Sequence, residues 1–371
     1  MEKKKKLIVI ISGAAIMLAA MVAMAVVAFS PNGNTASTSR PSSASPSQQL
    51  ALRETRKMIK SFCAPTLHHR DCERTLLPIV GNSTDVKLLV NATFHVALGR
   101  IQDSFSRSSL LLAAEKDPNS QEALMVCKEV LFYGIDDLQR TIDRYDSFNV
   151  AHADRILDDA RTWLSGALTY QHTCLEAFDK SGSPAEIDIA KALNRSISFT
   201  ANGLNAVSEM ERMTSGLQLR RKLLASENPA GDTGLPRWVS FGRRRLLVSE
   251  IVEIKPNATV AQDGSGDYAT ITEALAAVPK KRGEAFVIYI KEGVYKEKVV
   301  VNRSLTNVIF IGDGPDKSKI SGELNAVDGV KTFHTATFAV MGDGFMARDR
   351  GFENTAGAAK HQAVAVGSSP T

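Results

Sequence analysis

The sequence predicts a multidomain α plus β protein: an N-terminal membrane anchor, a four-helix bundle and a carboxyl-terminal region of short strands. Three patterns predict this architecture. An uncharged run of 23 residues follows four lysines, apolar residues recur at helical spacing over residues 49–215, and short β-branched runs follow residue 248. The chain has 371 residues, of which 44% are hydrophobic and 23% charged, so it is long enough for two or three ordinary globular domains.

The net charge of +5 lies outside the segments that are predicted to fold. Residues 1–50 carry five basic and one acidic side chain, and residues 216–247 carry seven basic and two acidic ones. Residues 51–215 (19 basic, 22 acidic) and 248–371 (14 basic, 15 acidic) are slightly acidic. The basic charge therefore belongs to a tail and a linker, and nucleic acid is not expected as a partner.

Residues 1–29 are interpreted as a cytosolic tail and a signal anchor. Leu7–Phe29 is long enough to cross a bilayer as a helix, and the lysines at positions 3–6 favour a cytosolic amino terminus. A cleaved signal peptide is the alternative, with Ala23-Met24-Ala25 as the cleavage site. Either way the chain is expected to enter the secretory pathway, where five Asn-x-Ser/Thr sequons are candidate glycosylation sites: Asn82, Asn91, Asn194, Asn257 and Asn302.

A flexible stalk rich in Ser, Pro and Thr, residues 30–48, precedes the predicted bundle at residues 49–215. Four long helices are predicted because apolar side chains recur at three- and four-residue spacing in four segments: Val86–Phe105, Val126–Tyr145, Ile156–Cys174 and Ile187–Val207. Breakers at 117–120 and 181–184 fall between helices. Long amphipathic helices with short connections predict an up-and-down bundle.

The four cysteines, Cys63, Cys72, Cys127 and Cys174, suit two disulfides in an oxidising compartment. Cys127 and Cys174 fall in the second and third long helices, so a bridge between them would join neighbouring helices. Cys63 and Cys72 would close a shorter N-terminal hairpin.

Residues 216–247 are predicted to be a linker that is cut by a protease. Two basic clusters, Arg220-Arg221-Lys222 and Arg243-Arg244-Arg245, flank a Gly- and Pro-containing segment. Exposed dibasic sites between lumenal domains favour processing. A solvated charge run is the alternative.

Short strands are predicted at 288–290, 309–311, 338–340 and 364–366, at intervals that suit either a parallel β-helix or a sandwich. Gly-x-Gly sequences at 264–266, 312–314 and 342–344 are interpreted as turns, and His68-His69 as surface residues. No metal or organic cofactor is expected, since the sequence has no Cys-x-x-Cys, His-Glu-x-x-His, Gly-x-Ser-x-Gly or Walker motif.

Four motifs in fixed order give the carboxyl-terminal half a resemblance to plant pectin methylesterases: Val260–Ile271, Gly293-Val294-Tyr295-Lys296-Glu297, Ala336–Gly357 and Lys360–Ala365. The resemblance implies that residues 248–371 form the first part of a right-handed parallel β-helix. The bundle and its cysteines resemble the inhibitor-type pro-domain of that family, which also occurs as free pectin methylesterase inhibitors. Together the resemblance covers about residues 50–366.

The resemblance implies an aspartyl esterase that acts on methylesterified homogalacturonan pectin. Thr332 and Gln362 match the family's substrate-contacting positions. The family's two catalytic aspartates, its glutamine beside the acid and its arginine lie beyond the Gln362 motif, in blocks that this sequence does not contain. No catalytic residue is therefore assigned, and the chain is expected to be a truncated and inactive esterase. Three internal carboxylates are not expected to substitute: Asp343, Asp349 and Glu353.

Two functions follow from these observations. The first is a cell-wall pectinesterase proenzyme, delivered through Golgi membranes, whose bundle silences the esterase until a subtilisin-like processing protease cuts the linker. The second is an inhibitor-type protein whose bundle binds and restrains pectin methylesterases.

Overall fold

The computed structural model describes residues 46–66, 68–178, 183–222, 255–280 and 283–368. Residues 50–371 form one compact unit. The predicted anchor Leu7–Phe29, most of the stalk and Arg243–Arg245 lie outside the described residues. Within the described ranges, no helix is both long enough and apolar enough to span a bilayer.

Six helices precede the strands in the described part of the chain: α1 Pro46–Cys63, α2 His69–Val80, α3 Val86–Ala114, α4 Pro118–Asp146, α5 Ala153–Glu176 and α6 Pro184–Lys222. The four long ones, α3 to α6, confirm the predicted bundle. The starts of α3 and α4 follow from local chemistry. Asp85 accepts a hydrogen bond from the Lys87 amide, and Asp117 accepts one from the Ser120 amide ahead of a helix that begins with proline.

The helices pack around large apolar side chains from all four long elements, such as Phe94, Tyr145, Leu164 and Phe199. The rings of Phe94 and Tyr145 meet edge to face at 5.2 Å. Both predicted disulfides are present. Cys63–Cys72 links α1 to α2, and Cys127–Cys174 links α4 to α5.

Helix α6 extends further than predicted. Its backbone stays helical through Lys222, so the predicted boundary between bundle and linker at 215/216 falls inside the helix. Good helix formers after Gly216, from Leu217 to Lys222, explain the extension. The first basic cluster therefore lies at the end of a helix.

Ten short strands follow: β1 Ala258–Val260, β2 Phe286–Ile290, β3 Gly293–Lys296, β4 Val299–Val301, β5 Val308–Gly312, β6 Ser318–Gly322, β7 Phe338–Val340, β8 Met346–Arg348, β9 Gly351–Asn354 and β10 Val366–Ser368. A short helix, α7 Ile271–Ala276, lies between β1 and β2 and begins with a capping box of Thr270 and Glu273.

All pairings between these strands are parallel, and they form three sheets: β1–β2–β5–β8, β3–β6–β9 and β4–β7–β10. Consecutive strands join different sheets, so the chain winds in coils such as β2–β3–β4 and β5–β6–β7. This topology is a parallel β-helix and excludes the sandwich alternative. Phe310, Phe338 and Phe352 stack inside the coils, with ring centres 4.6 to 5.7 Å apart.

The last predicted strand, 364–366, was placed two residues too early. The strand begins at Val366. The amide of Val364 donates to the Thr335 hydroxyl, at 3.2 Å, and not to a backbone carbonyl of the neighbouring strand.

Candidate functional site

The structure brings the two predicted substrate-contacting residues together. Thr332 opens a single 3-10 turn, Thr332–Thr335, just before β7, and Gln362 lies just before β10. Because β7 and β10 are paired neighbours, both residues meet at one edge of the sheet. The Thr332 hydroxyl donates to Gln362 Oε1. A hydroxyl and a primary amide at one edge offer both donors and acceptors to a ligand.

Side chains from the same coils hold this edge in place. The Thr335 hydroxyl donates to the Thr332 carbonyl at 2.8 Å. The Asn354 amide nitrogen donates to the carbonyls of Leu324 (2.9 Å), Val364 (3.3 Å) and Thr335 (3.4 Å). One asparagine of the third motif therefore ties together the segments that carry Thr332 and Gln362.

The loop before Thr332 is closed by a small polar network. The Asn325 amide nitrogen donates to Asp328 Oδ2 at 2.7 Å, and Lys360 forms an ion pair with the same carboxylate. The hydrogen bond from Lys360 holds the pKa of Asp328 below its usual range. The Ala326 amide donates to the Gln362 carbonyl at 2.9 Å, which joins the loop to the second site residue.

A cavity of about 630 Å³ lies between this edge and the bundle. Thr332, Phe333 and Gln362 line it from the β-helix, and Tyr170, Thr173 and Glu176 of α5 line it from the bundle. The bundle therefore lies against the edge of the β-helix that carries both site residues, whose side chains still keep exposed surface.

Arg303, which follows β4, extends from the β-helix into the bundle. Its Nη1 donates to Asp136 Oδ2 at 2.5 Å and to Asp137 Oδ1 at 2.7 Å. The guanidinium carbon lies 4.9 Å from the ring centre of Tyr133 and 5.9 Å from that of Tyr170. Only 15% of the Arg303 side chain is exposed. A desolvated arginine between aromatic rings is the type of contact that anchors interfaces.

Burial raises the pKa of the Asp137 carboxyl to about 6, against the opposite effect of Arg303. The Asp137 side chain is 0% exposed, and its Oδ2 has no hydrogen-bond partner within the described ranges. Burial is the largest single effect on Arg303 and disfavours its charge, but the hydrogen bond to Asp137, the charge of Asp137 and the contact with Tyr170 together outweigh burial and raise the pKa of the arginine. Asp137 is therefore the member of this pair that titrates at mildly acidic pH.

Three more contacts of α4 reach the turn that carries Thr332 and the residue before it. Glu129 Oε2 lies 2.9 Å from His334 Nε2, and this hydrogen bond lowers the pKa of Glu129. Lys331 Nζ donates to Asn119 Oδ1 at 2.7 Å, and the Lys331 amide donates to Glu122 Oε1 at 3.4 Å.

Asp343, Asp349 and Glu353 are each paired with a different basic side chain. Asp343 pairs with Arg140 of the bundle at 2.6 Å, Asp349 with Arg348 at 3.4 Å, and Glu353 with Lys319 at 3.7 Å. That none of them acts as a catalytic group stays a prediction. Among the described residues, no group of three His, Cys, Asp or Glu side chains is placed to hold a metal ion.

Two family models match the two folded regions of the chain. The model described as Plant invertase/pectin methylesterase inhibitor matches residues 57–215, and the Pectinesterase model matches residues 257–370. The chain belongs to the pectinesterase/pectinesterase inhibitor family. The first match coincides with the bundle and the second with the β-helix, which are called the inhibitor-type domain and the esterase domain below.

Two relatives from Arabidopsis thaliana match both domains. Probable pectinesterase/pectinesterase inhibitor 21 is 43% identical over 84% of this chain and 46% of its own length. Putative pectinesterase/pectinesterase inhibitor 28 is 40% identical over 98% of this chain and 48% of its own length. The chain therefore spans about half the length of these relatives. The structure titled Pectin methylesterase from Carrot is 53% identical over 31% of this chain and 37% of that one, with a TM-score of 0.30.

Sequence reasoning missed the residues that join the two domains: Tyr133, Asp137, Tyr170, Arg303 and His334. The sequence does contain one sign of the bundle's side of this contact. Glu122, Glu129 and Asp136 recur every seven residues, which places three carboxylates on one face of a single helix. Nothing in the sequence marks which residues of the esterase domain that face meets.

The five sequons differ in how their side chains are engaged. Asn82, Asn194 and Asn302 are exposed. The Asn91 amide nitrogen donates to Asp146 Oδ1 at 2.5 Å, and Asn257 Oδ1 accepts from the Val287 amide at 2.8 Å. Glycosylation at all five stays a prediction.

Proposed function

We propose that this chain is the inhibitor-linked part of a cell-wall pectinesterase, and that its inhibitor-type domain covers the pectin-binding face of its own esterase domain. The observation that carries this proposal is the position of the Thr332–Gln362 pair. Both side chains line a cavity whose opposite wall is α5 of the bundle. Both side chains keep exposed surface, but a polysaccharide that continued across this face would meet α5 of the bundle.

The chemistry of the edge fits a sugar ligand. Galacturonate units present hydroxyl groups and, when methylated, ester carbonyls. The Thr332 hydroxyl and the Gln362 amide can donate to and accept from such groups. In the covered state these two side chains satisfy one another instead. Hydrolysis of pectin methyl esters, the activity that the names of the relatives indicate, is proposed for the protein as a whole.

Release of the cover is proposed to follow cleavage between the domains by a subtilisin-like protease. The order of the domains supports this step, because the only covalent link between them runs through the predicted linker. Delivery to the cell wall through Golgi membranes, by an anchor or a cleaved signal at Leu7–Phe29, and right-handed winding of the β-helix complete the proposal.

The second candidate function is inhibition of other pectin methylesterases by the bundle. The bundle favours it by having its own core and two internal disulfides. The face of α4 that contacts an esterase domain is occupied within the same chain. Inhibition of a second protein therefore requires that the bundle first be released.

Both functions are tested with the full chain carrying a site-specific protease sequence within residues 223–254. We expect weak binding of methylesterified oligogalacturonate before the cut and clear binding after it. Thr332→Ala and Gln362→Ala should each weaken binding by about fivefold, as expected for one lost hydrogen bond of about 1 kcal/mol. Gln139→Ala, at an exposed glutamine of α4, is the control and should change nothing.

Equal binding before and after the cut, or binding that is unaffected by both alanine variants, would reject the proposal. Methanol release measured in the same samples tests the expectation that the esterase residues lie outside this sequence. For the second candidate, the cut chain is added to an active plant pectin methylesterase. No slowing at large molar excess would exclude inhibition of other enzymes.

A further inference from the structure

The contact between the domains pairs carboxylates of one helix with a line of basic side chains on the esterase domain. The acidic stripe, as we call it, consists of Glu122, Glu129, Asp136 and Asp137 on α4. The basic row consists of Lys331, His334 and Arg303. Every member of the row is engaged by the stripe or by its neighbour Asn119.

The carboxylates of the acidic stripe lie along one line, as those of an extended acidic ligand would. Residues seven apart on a helix are separated by about 10 Å along its axis and lie on nearly the same side. Glu122, Glu129 and Asp136 therefore present carboxylates at regular intervals along one line. On the other side of the contact, Lys331 and His334 lie before β7 and Arg303 follows β4, the partner strand of β7. The row thus follows the outer face of the sheet that carries the site residues.

The row begins at the proposed binding site. Lys331 is the residue next to Thr332, and both line the cavity that also contains Gln362. A ligand that bound the Thr332–Gln362 pair and continued along this face would meet His334 and then Arg303. A repeating acid would place its carboxylates where the stripe now places those of Glu129 and Asp136.

We propose that the basic row is a binding track for the free carboxylates of unesterified galacturonate, and that the acidic stripe occupies it by imitating such a ligand. This inference rests on the proposed function, since it names the part of pectin that this face contacts. The methylated units would bind at Thr332 and Gln362, and the de-esterified units along the row. Pectin with a free-acid block would then compete with the bundle more strongly than fully methylated pectin.

The experiment uses the full chain and two probes, a fully de-esterified oligogalacturonate and its fully methylesterified counterpart. The stripe variant carries Glu122→Gln, Glu129→Gln and Asp136→Asn, which remove three charges outside the core. Asp137 and Arg303 are left unchanged, because the two form a buried hydrogen-bonded ion pair, and altering either would also test the loss of that pair. Circular dichroism and thermal melting confirm that each variant folds as the unmodified chain does.

We expect the stripe variant to bind the de-esterified probe at least about tenfold more tightly than the unmodified chain, and the gain to shrink as salt rises. Adding Lys331→Gln and His334→Gln should return binding to the unmodified level. The matched control adds Lys317→Gln and Lys319→Gln, two lysines of the esterase domain that lie outside the basic row and the loop before Thr332. Lys317 is exposed, and Lys319 pairs with Glu353. The control should leave the gain intact.

The inference is overturned if the stripe variant binds the de-esterified probe no more tightly than the unmodified chain. It is also overturned if the gain in affinity persists after Lys331→Gln and His334→Gln, or if the lysine control abolishes that gain. The methylesterified probe separates this outcome from failure of the proposed function. If that probe binds through Thr332 and Gln362 while the de-esterified probe shows no dependence on the row, only the present inference falls. If neither probe binds any variant even after a cut within residues 223–254, the proposed function falls with it.

Discussion

Arg303 is the residue through which the two domains are most closely engaged. It brings one charge into the bundle, where two aspartates and two tyrosine rings surround it. Burial alone disfavours such a charge, and only its partners make the position stable. Removing the Arg303 side chain is therefore expected to reduce stability mainly because the buried carboxylates lose a positive partner.

Arg303→Gln is expected to destabilise the docked arrangement by about 3 kcal/mol, because the buried Asp137 would lose its hydrogen-bonded cation and keep only Arg140, 3.8 Å away. The effect is measured as faster hydrogen exchange in α4 and in β7. Arg161→Gln is the matched control, since Arg161 forms an exposed pair with Asp158 that contributes at most about 1 kcal/mol. Equal exchange in the two variants would contradict the role given to Arg303.

Asp137 makes the docked state sensitive to mildly acidic pH. Its pKa is raised to about 6 in the folded chain from an ordinary value of 3.8. A carboxyl with a raised pKa stabilises the fold fully below its unfolded pKa, and this contribution disappears as pH rises through the folded pKa. The charged groups that face it are Arg303, Arg140 and Asp136.

Stability against denaturant is therefore expected to fall between about pH 4 and pH 6, by at most about 3 kcal/mol. Asp137→Asn should flatten the curve in this window. Glu129 has a lowered pKa, so its contribution is lost only when pH falls below the ordinary value for glutamate. A curve that rises with pH over the window in the unmodified chain would show that the assignment to Asp137 is wrong.

At the scale of elements, the close stacking of coils places limits on single positions. Gly342 lies in the turn after β7. A Cβ atom there would lie 2.0 Å from the Leu305 carbonyl oxygen and 2.8 Å from that of Asn302, both backbone atoms of the neighbouring coil. The turn can approach that coil only because this residue has no side chain.

Gly342→Ala is expected to destabilise the esterase domain by about 3 kcal/mol, since backbone must move to admit a methyl group. The control is Gly283→Ala, where a Cβ would meet nothing within 4 Å and φ is not positive. That change should be neutral or slightly stabilising. Thermal melting of both variants measures the difference, and a similar melting temperature for the two would contradict the stacking argument.

The elements differ in how far the sequence predicted them. The four long helices could be located because each repeats its apolar spacing over many turns. Strands β1, β3, β4, β6, β8 and β9 were missed because three to five residues carry too little pattern to separate a strand from a turn. The extension of α6 was missed because its charged end was interpreted as linker.

The candidate site shows the same division. Thr332 and Gln362 were found because each lies in a motif, and their contact then followed from the pairing of β7 with β10. The contacts of Arg303 and His334 join residues 167 and 205 positions apart. No local pattern encodes such contacts, because they depend on how two separately folded cores meet.

At the scale of the whole molecule, the two domains are held together by charged side chains at their contact and not by opposite net charges of the domains. Residues 51–215 and 248–371 are both slightly acidic, so the two domains repel weakly at long range. The acidic stripe and the basic row overcome this only at short distance. Apolar contacts help: Tyr133 of α4 packs against a small cluster of Ala336, Ala339 and Met341, and Phe333 packs against the core of the bundle.

A chain cut within residues 223–254 is therefore expected to stay associated at low salt and to dissociate more readily as salt rises. The Debye length falls from about 10 Å at 0.1 M to about 3 Å at 1 M, so exposed pairs weaken first. Analytical ultracentrifugation measures the dissociation constant across this range. The stripe variant is the control and should show a smaller salt dependence. A dissociation constant that does not change with salt would indicate an interface held by apolar contacts alone.

The length of α6 has a consequence for when the two domains part. Proteases cut extended chain, and a peptide bond within a helix becomes available only while that helix end is locally unfolded. The bond after Arg221 lies in the last turn of α6, so helix fraying would set the rate of any cut there. Gln218→Pro should speed that cut under limiting protease, and an unchanged rate would remove the helix from consideration. If the cut is faster in this variant, the local stability of the end of α6 determines how soon the two domains can separate.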